Sequence, residues 1–112
     1  MTGGPAARSV QFRLHRDHLY LDAADYQAAL AGRASVALLR RGDDLLVLPV
    51  AGPEAGGFLV KQVNARGDRA VHAADFFRLN GVDETIERFA MGAWDEAAAG
   101  FVVPGLFRQT AN

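Results

Sequence analysis

Two heptapeptides of this chain share the core Ala-Ala-Asp-aromatic, and their resemblance restricts the folds that the chain can adopt. The segment Tyr20–Tyr26 (YLDAADY) aligns without a gap with Ala70–Phe76 (AVHAADF), at a constant offset of 50 residues. A second match follows in the same order, since Leu46–Pro49 (LVLP) resembles Phe101–Pro104 (FVVP) at an offset of 55 residues. Internal repeats determine the architecture of a chain. The sequence therefore predicts two copies of one supersecondary unit.

The first copy has the pattern strand, strand, helix, strand, strand. Residues 10–15 alternate between apolar and polar side chains, which is typical of a half-buried strand. Asp22 can cap a helix over 23–31, which Gly32 ends. The predicted strands of this copy are residues 10–15, 18–21, 35–39 and 45–50.

The second copy follows the same order with one ambiguous part. Residues 58–65 and 70–71 are predicted strands around a turn at Gly67, a helix covers about 73–81, and 101–103 is the last strand. Between them, residues 85–100 are compatible with strand, helix or loop. The spacing of Ile86 and Phe89 favours a helical turn.

The length of 112 residues suits one domain with a single modest core. We expect a flexible N-terminus (1–9), one barrel domain (10–104) and a C-terminal tail (105–112) in which Leu106 and Phe107 dock. Within the barrel domain the predicted parts are repeat one (10–50), a linker rich in glycine and proline (51–57) and repeat two (58–104).

The composition indicates where in the cell the protein is expected. Cysteine is absent, so the chain offers neither a disulfide framework nor a thiolate zinc site. No apolar run reaches the roughly 18 residues of a membrane span, and the N-terminus lacks the apolar region of a secretory signal. We expect a soluble, cytoplasmic protein that does not enter a membrane.

Residues Arg69 to Val82 resemble the swapped-hairpin family that includes the AbrB, MazE and MraZ DNA-binding proteins. In that family a turn glycine and a basic residue open a short strand, as Gly67 and Arg69 do here. An acidic residue lies early in the helix, which closes with glycine and an aliphatic residue; Asp75, Gly81 and Val82 fill these places.

The resemblance implies a mainly β fold with short helices, namely a swapped-hairpin AbrB-like β-barrel made from two ββαββ repeats. A tandem chain would close that barrel by itself, as MraZ-type proteins are implied to do. The chain departs from the family pattern at the start of the helix, where Ala73 replaces the usual proline.

The distribution of charge along the chain is compatible with DNA binding, although the net charge of the chain argues against it. The net charge is −1 and the pI about 6.3, which argues against attraction of nucleic acid to the whole surface. However, basic residues and all three histidines are concentrated in the predicted first hairpin of each copy. The resemblance, carried across by position, implies DNA contacts from Lys61, Asn64, Arg66 and Arg69, and from their looser counterparts Arg13, Arg16 and His18. These residues could equally serve only to solvate the outer faces of the hairpins.

Catalytic, metal and cofactor sites are not predicted. His15 and His18 are three residues apart on a hairpin, with no third ligand at a recognisable spacing. The paired carboxylates lie where turns and helix ends ordinarily place them, and Ser9 and Ser35 lack the glycines of a nucleophile elbow. We therefore expect neither enzyme activity nor a cofactor.

Two function classes remain. The first is a DNA-binding transcriptional regulator or antitoxin-like module that contacts duplex DNA through its basic hairpins. The alternative is a non-catalytic accessory or assembly subunit that binds a protein partner in a bacterial multi-subunit complex. The acidic pI, the missing proline and three aromatic residues expected at the surface, Trp94, Phe101 and Phe107, favour the alternative. A homo-oligomer is compatible with either.

Overall fold

The computed structural model describes residues 9–51, 57–83, 85 and 87–108. Within them the chain forms eight β-strands and two short helices. The strands are β1 (Ser9–His15), β2 (His18–Leu21), β3 (Ser35–Arg41), β4 (Asp44–Val50), β5 (Phe58–Gln62), β6 (Arg69–His72), β7 (Arg88–Asp95) and β8 (Gly100–Val103). Helix α1 (Ala23–Leu30) connects β2 to β3, and helix α2 (Ala74–Leu79) lies between β6 and β7.

The strands close into one antiparallel β-barrel. Their order around the barrel is β1-β2-β6-β5-β3-β4-β8-β7, and β7 pairs with β1 to close it, with Phe12 opposite Ala90. Closure pairs the backbone N–H and C=O groups that an open sheet leaves free at its edges. The prediction of a mainly β barrel with short helices is confirmed.

The two halves of the chain, β1–β4 and β5–β8, follow the same pairing pattern. If each strand is replaced by the strand at the same position in the other half, the set of strand pairs stays the same. The hairpins β1–β2 and β3–β4 correspond to β5–β6 and β7–β8. The first strand of each half pairs with the third strand of the other half, β1 with β7 and β5 with β3. The pairs β2–β6 and β4–β8 join corresponding strands. Each half therefore completes its sheet only with strands of the other.

Alternation along the strands builds the core. On β1, Val10, Phe12 and Leu14 are at most 2% exposed, whereas the residues between them are more exposed. Phe12 meets Phe101 of β8 edge to face, with the ring centroids 6.4 Å apart. Helix α2 adds Phe77, which is completely buried. These rings form the centre of a single apolar cluster.

Helix α1 begins at the predicted residue. The Asp22 carboxylate accepts a hydrogen bond from the backbone N–H of Asp25 at 2.8 Å, which is the predicted N-cap. Tyr26 and Leu30 are four residues apart, so they share one face of the helix, and both are buried. The helix ends one residue before the predicted limit because Ala31 takes a left-handed conformation, with φ of 47°.

Helix α2 is shorter than the predicted span of about 73–81. Ala73 has no side-chain oxygen with which to cap the helix. Instead, the backbone N–H of Ala73 donates to the carbonyl oxygen of Asp17 at 3.0 Å, in the turn between β1 and β2. The start of α2 is therefore held by a turn from the other half of the chain.

The sequence left the conformation of residues 85–100 ambiguous, and the structure has strand β7 there. The spacing of Ile86 and Phe89 favoured a helical turn, and this prediction is wrong at Phe89, which lies in the strand. Strand β7 pairs with both β1 and β8, so closure of the barrel determines its conformation. Phe89 is 62% exposed on the outer surface. Ile86 lies outside the described residues.

The aromatic residues expected at the surface are mostly in the core. Phe101 is completely buried and Phe107 is 4% exposed, so their assignment as surface residues is wrong; Trp94 is partly buried against the cluster. Inward alternation on β8 places Phe101 inside. The backbone N–H of Phe107 donates to the Asp43 carbonyl at 2.9 Å. Leu106 is also buried, so the docking predicted for both residues of the tail is confirmed.

The predicted N-terminal segment 1–9 lies outside the described residues except for Ser9, which opens β1. Residues 52–56 of the predicted linker and residues 109–112 of the predicted tail also lie outside them. No helix among the described residues is long and apolar enough to cross a membrane.

Candidate nucleic-acid interface

The outer face of β1, β2, β6 and β5 carries a concentration of basic and aromatic side chains. Because β1 and β2 direct their apolar residues into the core, the alternate residues point outward. We call this face the basic wall and define it by the side chains Arg13, His15, His18, Tyr20, Lys61 and His72. It unites parts of both predicted hairpins.

Strand register arranges the basic wall in two rows. In the first row, Arg13 on β1 lies opposite Tyr20, Tyr20 opposite Ala70, and Ala70 opposite Lys61 on β5. The second row runs through the three histidines, since His18 lies opposite both His15 on β1 and His72 on β6. Histidines that are distant in sequence thus become direct neighbours.

Ring contacts hold the centre of the basic wall. The rings of His18 and His72 stack with centroids 4.4 Å apart and an interplanar angle of 13°. His18 also stacks on Tyr20 at 5.6 Å, and the Arg13 guanidinium lies 4.2 Å from the centroid of the same tyrosine ring. Such contacts orient each side chain and restrict its rotamers.

The turn between β1 and β2 fixes the tautomer of His18. The His18 Nδ1 lies 2.9 Å from the carbonyl oxygen of Arg16. A carbonyl oxygen can only accept a hydrogen bond, so Nδ1 is the protonated nitrogen in this contact and Nε2 remains available to a ligand. Arg16 itself is exposed at the end of the hairpin, with φ of 50°.

One carboxylate reduces the positive charge of the basic wall. Arg13 donates to the Glu87 carboxylate at 2.8 Å, and both side chains are partly exposed, at 34% and 47%. Ion pairs at the surface contribute only about 0–1 kcal/mol to stability. Arg13 can therefore leave Glu87 for a phosphate at little cost.

Asn64 and Arg66 lie in the turn between β5 and β6, where both bind Asp68. The Arg66 guanidinium donates to Asp68 Oδ2 at 2.6 Å, and the Asn64 amide donates to the same oxygen at 2.9 Å. These two hydrogen bonds hold the pKa of Asp68 well below its usual range, and the one from Arg66 makes the largest contribution to the lowering. Asp68 correspondingly raises the pKa of Arg66. Arg66 is 76% exposed, but its charge is balanced within the turn.

Arg69 faces α1 rather than the basic wall. Its guanidinium lies 4.3 Å from the centroid of the Tyr26 ring and donates to the Gln62 side-chain oxygen at 3.1 Å. Its Nε is buried without a hydrogen-bond partner among the described residues. The structure thus separates the predicted contact residues. Arg13, His18 and Lys61 share the basic wall, and Arg16 is exposed in the turn between β1 and β2. Asn64 and Arg66 lie in the turn between β5 and β6, and Arg69 packs beneath a helix.

Sequence reasoning missed three members of the basic wall, His15, Tyr20 and His72, as contact residues. Alternation was a usable signal, because His18 and Tyr20 are two residues apart on one strand and must share a face. His72 needed the pairing of β2 with β6, which joins the two halves of the chain.

Besides the basic wall, the barrel has a second site, which is concave, has a volume of about 270 Å³ and is lined by side chains of both charges. The lining includes three carboxylates, from Asp22, Asp25 and Asp68, as well as Arg13 and Arg66. Among the described residues, no group of three or more histidine, aspartate or glutamate side chains is arranged to hold a metal ion. The mixed charge gives this site no clear preference for an anion.

A scan against protein-family models, a search of curated proteins and a search of solved structures each gave no match to this chain.

Proposed function

We propose that the protein binds duplex DNA through the basic wall, as a transcriptional regulator or antitoxin-like module. The supporting observation is that Arg13, His18 and Lys61, from two hairpins, occupy one outer surface, and that Arg16 is exposed in the turn beside it. Lysine and arginine bind DNA phosphates and release condensed counterions. A tyrosine hydroxyl adds a hydrogen bond to a phosphate oxygen. The surface combines these groups on four neighbouring strands.

The proposal includes the finer fold, a swapped-hairpin AbrB-like barrel made of two ββαββ repeats. Support comes from the strand pairing, which is unchanged by exchanging the halves, and from the pairing of β1 with β7 and β5 with β3. In this fold two copies interlace, and a tandem chain supplies both. The first hairpins of the two copies then lie side by side through β2 and β6, which is where the basic wall forms.

A local basic surface is compatible with a net charge of −1. Electrostatic screening limits the range of exposed charges to about 8 Å at physiological salt, so DNA responds to the nearest side chains. The three carboxylates of the second concave site lie toward α1, and their charge is partly balanced by Arg13 and Arg66. We therefore expect modest affinity with a strong dependence on salt.

Fluorescence anisotropy of a labelled duplex, titrated with protein between about 50 and 200 mM salt, tests the proposal. Affinity should fall steeply with salt. The double variant Arg16→Ala, Lys61→Ala should bind more weakly, and the slope of log K against log salt should become less negative by about 2, because two phosphate contacts are lost.

The matched control is Arg78→Ala in α2, which removes one positive charge away from the basic wall. Arg78 pairs with Asp75 on the same helix. This variant should leave affinity and salt slope close to those of the wild type. Absent or salt-independent binding, or equal losses in the control and the double variant, would refute the proposal.

Binding of a protein partner is the second candidate, and a different observation favours it. Phe89 and Met91 are 62% and 55% exposed on the outer face of β7, beside the basic wall. Exposed aromatic and methionine side chains are enriched at interfaces. The test is the recovery of one stoichiometric partner from native lysate by the wild type and its loss with Phe89→Asp. Recovery of the same proteins by both would reject this candidate.

A further inference from the structure

The three histidines of the sequence all lie in one row of the basic wall, on the neighbouring strands β1, β2 and β6. Histidine is the side chain whose charge ordinarily changes between about pH 5 and 8. Cysteine, whose thiol can also lose a proton near this range, is absent. The side chains that change charge near neutral pH are therefore concentrated on the surface that we propose for DNA. We propose that duplex DNA binds the basic wall with uptake of a proton by His18, so that affinity rises as the pH falls.

This inference rests on the proposed function and adds its regulation by pH. Neutral His18 cannot donate a hydrogen bond to DNA, because its Nδ1–H is directed at the Arg16 carbonyl oxygen, 2.9 Å away. A neutral imidazole has one N–H, so Nε2 then carries a lone pair, and phosphate oxygens of DNA only accept. Protonation places a hydrogen on Nε2 and a positive charge on the ring. Hydrogen bonds from such a ring to phosphate are roughly twice as strong as those between neutral groups.

The ring of His72 makes full protonation depend on an anion. It stacks on His18 with the centroids 4.4 Å apart and an interplanar angle of 13°. Two positively charged rings at this distance repel each other, whereas a phosphate beside them attracts both. Bound DNA therefore allows both rings to be charged at a pH at which the wall alone keeps at least one of them neutral. DNA and the proton consequently stabilise each other's binding.

The strands beside the stacked pair bring mostly basic side chains. Strand β1 places Arg13 and His15 on this face, β2 adds the Tyr20 hydroxyl, and β5 adds Lys61. The carboxylate nearest to this row, that of Glu87, is paired with Arg13 at 2.8 Å. The strands thus give the two imidazoles cationic neighbours rather than an anionic partner.

A turn and a helix complete the surroundings of the pair. The turn between β1 and β2 precedes His18 and contains Arg16 and Asp17, whose charges are of opposite sign. Helix α2 follows His72 and carries Asp75, which forms an ion pair with Arg78 on the same helix. A DNA phosphate therefore supplies the negative charge that a doubly protonated pair requires.

Fluorescence anisotropy of a labelled duplex with the full chain, at constant salt and at several values between about pH 5.5 and 8, tests the inference. Wild-type affinity should rise about tenfold or more toward the acidic end, the effect of one charge-assisted hydrogen bond. The slope of log K against log salt should also become more negative by about 1, because one more positive charge contacts phosphate.

His18→Asn is the decisive variant. Its side-chain amide can still donate to the Arg16 carbonyl oxygen, but it takes up no proton. This variant should lose most of the rise in affinity and of the change in salt slope. His15→Gln removes another histidine of the same row and should retain both effects. Arg78→Ala should match the wild type at every pH.

Calorimetric titration of the duplex in two buffers of different ionisation enthalpy counts the protons directly. At about pH 6.5, wild type should take up as much as about one proton per bound chain, and His18→Asn clearly less. Circular dichroism at each pH shows which samples are folded. His18→Gln replaces the asparagine variant if that variant is unfolded.

Affinity that is independent of pH, binding without proton uptake, or an equal loss of pH dependence in His18→Asn and His15→Gln would each overturn the inference. Duplex binding at about pH 8 would still support the proposed function in these cases, since arginine and lysine side chains ordinarily keep their charge there. Absence of duplex binding at every pH would instead refute the proposed function, and the proton uptake with it.

Discussion

The Asp68 carboxylate, in the turn between β5 and β6, accepts a hydrogen bond from the backbone N–H of Ala23, the first residue of α1, at 2.8 Å. The opposite arrangement occurs at α2, where the Ala73 N–H donates to the Asp17 carbonyl in the turn between β1 and β2. Free N–H groups at a helix start require acceptors. Each half of the chain supplies one to the other, so the helices and hairpins of the two halves depend on each other.

Asp68→Ala should lower the melting temperature more than Asp68→Asn, because asparagine retains an oxygen that can accept from Ala23. Asp68 has a depressed pKa in the folded state, so its stabilising effect is present above the ordinary carboxyl pKa, about 3.9. That effect is lost as the pH falls below this value toward the folded-state pKa. The difference in melting temperature between wild type and Asp68→Ala should therefore narrow from pH 5 to pH 2. A difference that is independent of pH would contradict this account.

Gly100→Ala should destabilise the barrel at the β4–β8 contact. A Cβ atom there would lie 2.2 Å from Leu48 Cδ2 and 2.7 Å from the backbone oxygen of Val47, which cannot move independently. Overpacking of this kind costs about 1–3 kcal/mol. Urea unfolding should show the loss as a lower midpoint.

Gly42→Ala is the comparison for that variant. Apart from its chain neighbours, no described residue lies within 4 Å of the position that a Cβ atom would take at Gly42, and only the φ of 63° opposes the substitution. The cost should be about 1–2 kcal/mol from backbone strain alone. A larger loss at Gly42 than at Gly100 would contradict the packing described for β4 and β8.

Phe101→Ala should cost about 3–5 kcal/mol, because it removes a completely buried ring that contacts Phe12 and Trp94. Phe89→Ala should change stability by less than about 0.5 kcal/mol, since its ring is on the surface. Phe101→Leu provides a measurable variant if the alanine variant does not fold. Chemical denaturation of the three variants measures the free energy of unfolding and so distinguishes a core from a surface phenylalanine. Equal losses of stability at Phe101 and Phe89 would contradict the orientation of β7 and β8.

Arg69→Ala should reduce stability without changing intrinsic DNA affinity. The guanidinium packs on Tyr26, and a cation–π contact of this kind contributes about 0.5–1 kcal/mol or more. Thermal melting measures the loss, and anisotropy is then compared at equal concentrations of folded protein. A change in salt slope in this variant would show that Arg69 contacts phosphate and would overturn its assignment to the helix contact.

Local patterns predicted most of the secondary structure. The strands over β1 and β2 and the start of α1 follow from alternation and from the Asp22 cap, which act within a few residues. The conformation at Phe89 did not follow from a local pattern, because pairing with β1 and β8 determines it. Likewise, the docking of Phe107 was predicted, but its partner Asp43, whose carbonyl oxygen accepts from the Phe107 backbone N–H, was not.

The sequence by itself determined the alternating strands, the capped first helix and the concentration of basic residues and histidines in two hairpins, because these depend on neighbouring residues. Only the tertiary structure decided which of those residues act together. Pairing of β2 with β6 stacks His72 on His18 and places Lys61 nearby, whereas Arg69, on the same β6 strand, packs against Tyr26. The pairing of β2 with β6 joins residues about 50 positions apart, and no local preference encodes their register.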